Sequence, residues 1–117
     1  MTSESAYFAL HEYAQALRDY QQATAIDPTD AANFYNCGAA SYNLHLYAQG
    51  VRYDTQAIAL RPNYANAYYG RGLGRYRLGD KAGAIADLTK AIQLFGAQGD
   101  AADAQMVANV LSTMESQ

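Results

Sequence analysis

Large or apolar residues recur at spacings of three, four and seven along most of this chain, the mark of helices that bury one stripe. The pattern is plain in FYNCGAASYNL (34–44) and YYGRGLGRYRL (68–78). Each run is followed by a short break, LHLYAQ or LGDKAG, and then by a second periodic run, VRYDTQAIAL (51–60) or AIADLTKAIQLF (84–95). The unit is therefore a helical hairpin. The spacing predicts helices over 4–10, 14–26, 31–44, 47–60, 65–78, 81–95 and 101–115, and no segment alternates as a strand would.

The two prolines, Pro28 and Pro62, stand 34 residues apart and reveal a repeat. The same shift superimposes Leu10-His11 on Leu44-His45, Tyr13-Ala14-Gln15 on Tyr47-Ala48-Gln49, Tyr35 on Tyr69, Gly38 on Gly72 and Tyr42 on Tyr76. A period of this length signals stacked units that bury their apolar faces against their neighbours. Each proline lacks an N–H and stops a second helix, and Thr29, Asp30 and Asn63 supply turn and capping groups before the next. Gly38 and Gly72 in first helices, with Ala16, Gly50 and Ala84 in second helices, would let paired axes approach to about 8–10 Å.

This constellation resembles the tetratricopeptide repeat, a 34-residue helix–turn–helix with an aromatic, Leu-Gly, Tyr, Ala, Phe and Pro at fixed offsets. In the middle unit Phe34, Cys37-Gly38, Gly50, Ala57 and Pro62 take those places. In the third, Tyr68, Arg71-Gly72, Ala84, Leu88 and Ala91 match, and Gly96 stands where proline would. The first retains Tyr7, Ala16, Tyr20, Ala23 and Pro28. The resemblance implies an all-α, right-handed superhelical solenoid of antiparallel hairpins. A single domain would span 1–117, with a truncated repeat at 1–30, full repeats at 31–64 and 65–98, and a closing helix near 100–115. In that last segment Asp100 can cap, and Val107, Val110, Leu111 and Met114 form a stripe able to cover the last hairpin.

Composition narrows the function. With 117 residues, half of them apolar and 16% charged, the chain can bury a core without metal or disulfide, and Cys37 is its one cysteine. No apolar run approaches the roughly 18 residues of a membrane span, and MTSESAY lacks the features of a signal peptide, so a cytoplasmic chain is expected. A net charge of −3 argues against nucleic acid as the main partner. Charge is uneven, however: residues 61–90 carry Arg61, Arg71, Arg75, Arg77, Lys81 and Lys90 against Asp80 and Asp87. Arg77 and its neighbours could attract an acidic stretch on a protein partner.

Candidate chemistry is sparse. His11 and His45 fall in equivalent turns, about 8–10 Å apart and too distant to share a metal. Cys37 reads as a buried structural thiol. Gly70-Arg71-Gly72-Leu73-Gly74 lacks the preceding strand and the lysine of a phosphate loop, so it reads as close helix packing. No catalytic residues, metal or cofactor are expected.

In the family it resembles, first helices line a concave peptide groove. The face of Tyr35, Ala39 and Tyr42 repeats as Tyr69, Leu73 and Tyr76, apart from the packing face of Phe34, Cys37, Gly38 and Ser41. Asn36, Asn43, Asn66, Gly70 and Arg77 complete the candidate groove. A tyrosine ring with a wet hydroxyl suits peptide recognition. The residues that clamp a C-terminal carboxylate in chaperone-binding relatives are missing: Met1, Ser5, Asn66 and Gly70 occupy their places and Asn36 alone fits, so such tails should not bind. Asp54 and Arg75, two charges at packed positions, are expected to meet between hairpins. The short first helix should leave the surface around Leu17, Tyr20 and Ile26 uncovered, favouring self-association through an N-terminal hairpin or a preceding repeat in a longer array. A peptide-binding interaction module is the leading reading; self-assembly and a regulatory fragment of a larger protein are the alternatives.

Overall fold

The structure is a computed structural model that describes residues 3–117, all of whose regular elements are helices. The clamp place at Met1 lies outside the described residues. Helices α1 (Ser3–Ile26), α2 (Ala31–Asn43), α3 (Tyr47–Leu60), α4 (Ala65–Arg77), α5 (Lys81–Ala97) and α6 (Ala101–Glu115) follow one another as a repeat solenoid. Hairpins α2–α3 and α4–α5 form its body, flanked by α1 and α6, with each helix packed on its chain neighbours and α2 also on α4.

Local chemistry accounts for the boundaries. Asp30 caps α2 by accepting the Ala32 N–H at 3.0 Å, and Asp80 caps α5 by accepting that of Gly83 at 2.9 Å. Asp100 occupies the cap position of α6 but makes no side-chain capping bond, its expected role notwithstanding. Pro28 and Pro62 follow the ends of α1 and α3. Within the hairpins the turn needs a left-handed residue, supplied by Gly79 (φ 88°) in one and by His45 (φ 63°) in the other.

The first unit departs from expectation. In place of helices at 4–10 and 14–26, α1 runs unbroken for 24 residues, with His11 in mid-helix and not in a turn. A turn there would hold His11 in the left-handed region, at about 1–2 kcal/mol, a cost the continuous helix avoids. Among the described residues there is thus no hairpin ahead of α2. The exposed apolar surface is only partly where the sequence places it: Ile26 is exposed (85%), but Leu17 is buried with Cys37 and Ala40, and Tyr7 (74% exposed), Phe8 (65%) and Leu10 project from the first turns as well.

Two apolar cores result. A small one joins α1, α2 and α3 through Leu17, Cys37 and Ala40, with Tyr20, Leu44 and Tyr53 at its edge. A larger one joins α4, α5 and α6 through Leu88, Phe95, Val107 and Met114. Here α6 covers the last hairpin as expected of its stripe. Gly72 is required by this packing, since a side chain would enter Leu88 and meet the Ala84 carbonyl at 3.2 Å.

Candidate functional site

The first helices of the two hairpins, α2 and α4, border a cavity of about 220 Å³. Helical spacing brings Tyr35, Ala39, Tyr42 and Asn43 to it from α2, and Tyr69, Gly70 and Leu73 from α4, all nominated from the sequence. Tyr76 and Arg77, with Tyr42 and Leu73, line an adjoining depression closed by Val110, Thr113 and Met114 of α6. Asn36 and Asn66 do not join them. Asn36 lines neither space, and exposed Asn66 borders a separate depression beside Arg61, Tyr64 and Asp100.

The tyrosine rings are half-buried and held by specific contacts. Tyr35 stacks on Tyr64 at a tilt, with ring centres 5.4 Å apart, and Tyr42 meets Tyr47 edge-on at 5.2 Å. Arg77 Nε donates to the Tyr42 hydroxyl at 3.1 Å, and its guanidinium lies over both the Tyr42 and Tyr47 rings. The Tyr76 hydroxyl donates to Gln117 Oε1. Burial raises the Tyr35 and Tyr69 phenols above their ordinary value; nearby Asp54 adds to the effect at Tyr35 and Tyr42 to that at Tyr69. These phenols therefore stay neutral and serve as ring faces and hydrogen-bond groups.

Two residues of the cavity escaped the sequence reading. Gly38, assigned to the packing face, serves both faces: it packs on Gly50 and also opens the cavity wall. Asp54, from the second helix α3, reaches between α2 and α4 to line the same space while remaining 3% exposed. Its position is Tyr20 in the preceding unit and Leu88 in the next, so an acid among apolar equivalents was the available signal.

The expected Asp54–Arg75 contact is not formed. Arg75 Nη1 donates to Asp87 Oδ2 at 2.9 Å. Arg71 joins it on the same carboxylate, through Nε to Oδ2 at 3.0 Å and Nη2 to Oδ1 at 2.9 Å. Both arginines stand closer to Asp87 along the hairpin interior, and the bidentate geometry holds Arg71 there. Asp54 Oδ1 is left buried with no hydrogen-bond partner. Burial pushes its carboxyl up to about 8, a rise that Arg71 opposes and Asp87 reinforces. The basic excess of residues 61–90 is correspondingly smaller at the groove than the sequence count suggests, with Arg77 its cation there.

The remaining nominated chemistry falls into structural places. Cys37 is fully buried and its thiol is pushed up to about 11 by burial, away from reactivity. His45 sits in the α2–α3 turn with Nδ1 2.7 Å from the Tyr47 hydroxyl. Among the described residues no cluster of three or more His, Cys, Asp or Glu side chains could hold a metal ion, and no helix is long and apolar enough to cross a membrane.

Comparison with known proteins bears on this architecture. A family model described as TPR repeat matches residues 5–45. None of the curated proteins matches the sequence. Among solved structures, the TPR domain of Sgt2 from Aspergillus fumigatus is 27% identical with a TM-score of 0.80, over 95% of this chain and 71% of its own. The TPR2B domain of yeast Sti1, in a pHsp70 complex, gives 0.85 at 20% identity, covering 97% and 96%. The type III secretion translocator chaperone SycD of Yersinia enterocolitica gives 0.83 at 16%, covering 98% and 86%.

Proposed function

We propose that the chain, a tetratricopeptide-repeat protein by the family match over residues 5–45 and by its fold, is a non-catalytic protein-interaction module that holds a peptide segment of a partner between α2 and α4. The observation that carries this reading is the cavity itself. Tyr35, Tyr42 and Tyr69 line it, and Leu73 and Ala39 give it an apolar wall. Such surfaces bury a side chain of a guest peptide while tyrosine hydroxyls and Asn43 bond its backbone. The TPR domain of Sti1 in complex with pHsp70 supports this use of the fold. A carboxylate-ended chaperone tail is not the guest we infer, because Ser5, Asn36, Asn66 and Gly70 offer no cation where such a tail would need one. Arg77 at the rim suits an acidic residue elsewhere on the partner.

The test is selection from a displayed library of random peptides, followed by affinity measurement. The expected result is a set of peptides whose binding falls at least about tenfold, or 1.4 kcal/mol, in a Tyr35→Ala/Tyr69→Ala variant that still melts cooperatively. Peptides bound equally well by that variant would exclude the groove.

A second reading, self-association, is favoured by a separate observation. Tyr7, Phe8 and Leu10 place a solvent-exposed apolar patch on the free part of α1. Concentration-dependent light scattering abolished by Tyr7→Ser/Phe8→Ser supports it, and a strict monomer at high concentration removes it. Leu17→Glu is unsuited to this purpose because Leu17 belongs to the core.

A further inference from the structure

Asp54 is a buried acid aimed into the groove from behind. The positions that face it on α2 and α4 are Gly38 and Gly70: a Cβ on Gly38 would lie 2.5 Å from Asp54 Oδ1, and one on Gly70 2.9 Å from Oδ2. Both first helices thus lack a side chain at the one place where a side chain would cover the carboxyl. The gap between them leads from the cavity to the acid. Among the described residues Oδ1 has no hydrogen-bond partner.

The charged and titratable groups around Asp54 do not neutralise it. Arg71 of α4 is the nearest cation, but Nε and Nη2 of its guanidinium are held by Asp87 of α5. Asp87 itself repels a second negative charge. The hydroxyls of Tyr35 on α2 and Tyr64 at the start of α4 stay protonated, and α2 carries no charged residue. A buried carboxyl without a partner is costly when ionised, and a cation delivered from outside removes that cost. Tyr35, Tyr42 and Tyr69 border the entry, and aromatic rings attract cations. Ala39 and Leu73 give a methylene stem an apolar surface to lie along. One carboxyl offers too few oxygens for a bare metal ion.

We propose that Asp54 is the receptor for a lysine or arginine side chain of the bound peptide, which enters between Gly38 and Gly70. This rests on the groove reading above and adds to it the class of partner: a peptide with one buried basic residue. Because Asp54 holds its proton when the groove is empty, binding the cation releases that proton. Affinity therefore rises with pH between 6 and 8, while the peptide's own base stays charged.

The experiment uses peptides selected on the intact chain from the random library. The expected peptides share a lysine or arginine at one fixed position. Replacing it by norleucine lowers affinity about tenfold or more, Asp54→Asn does the same, and the two losses do not add. The pH dependence disappears in Asp54→Asn. Gly70→Ala, which plugs the gap against the carboxyl while keeping the acid itself, reproduces the loss while retaining a cooperative melt. Peptides that need Tyr35 and Tyr69 but carry no fixed base, or that ignore Asp54→Asn, overturn the proposal and leave the groove standing. Peptides that ignore the tyrosine pair, or a selection that enriches none, overturn both.

Discussion

Asp54 and Asp87 are buried carboxylates in the second helices of adjacent hairpins, one position out of register with each other. Asp87 receives three charge-assisted bonds from Arg71 and Arg75, which leave the first helix of its own hairpin to reach it. Asp54 has no such donors, because the places of those arginines in its hairpin are taken by Cys37 and Ser41. Cys37 is buried against Leu17, and the Ser41 hydroxyl donates back to the Cys37 carbonyl at 2.8 Å. The same burial thus yields a structural ion network in one hairpin and an unanswered acid in the other. A buried acid is informative about function when its own fold fails to satisfy it.

One substitution made at both sites should separate them. Asp87→Asn strands two guanidinium groups and is expected to lower stability by about 3 kcal/mol, at the low end for a broken buried pair because Arg75 retains some solvent. Chemical denaturation at pH 7 measures it. Asp54→Asn should act in the opposite direction. The folded-state pKa of Asp54 lies above its ordinary value of 3.8, at about 8, so the wild type loses stability as pH rises from about 4 and levels off near 8. Asparagine removes that loss. The buried amide is itself unpaired and takes back part of the gain, so at least about 2 kcal/mol at pH 8 is expected out of a linkage on the order of 5 kcal/mol, the pH-dependent part vanishing near pH 4, and denaturation midpoints across that range would expose a parallel pair of curves if the idea is wrong. The hairpin turns give the smallest contrast. Gly79→Ala puts a side chain into a φ of 88° and should cost about 1 kcal/mol. His45→Gly relieves a φ of 63° and should stabilise by about 0.5 kcal/mol, reduced by the lost Tyr47 contact. Thermal melts of the two variants should shift in opposite directions.

The repeat, the hairpins and the nominated groove face were legible because period and helical spacing are local properties of the sequence. Tyr35, Tyr42, Tyr69 and Leu73 converge for the same reason their spacing suggested. What was illegible depended on competition between alternatives. The break near His11 was inferred by analogy with His45, but a turn forms only when the packing gained by folding back exceeds the cost of its left-handed residue. Arg75 had two acids within reach, and the choice of Asp87 required the bidentate seat of Arg71 beside it. Gly38 was assigned to one helix face although a residue without a side chain belongs to both. That Asp54 lines the groove follows from the gap left by two glycines on different helices, which no single segment encodes.

The division of the interior into two cores has a consequence for opening motions. Units of a linear array exchange free energy only with their neighbours, so the thin Leu17–Cys37–Ala40 cluster forms the weaker link and amides of α1 should be the first to exchange with deuterium, before those of α5. The groove lies across the seam, with α2 in one core and α4 in the other. A guest seated there acts as a clasp: it couples two halves that otherwise open one after the other, and raises protection in helices it never touches.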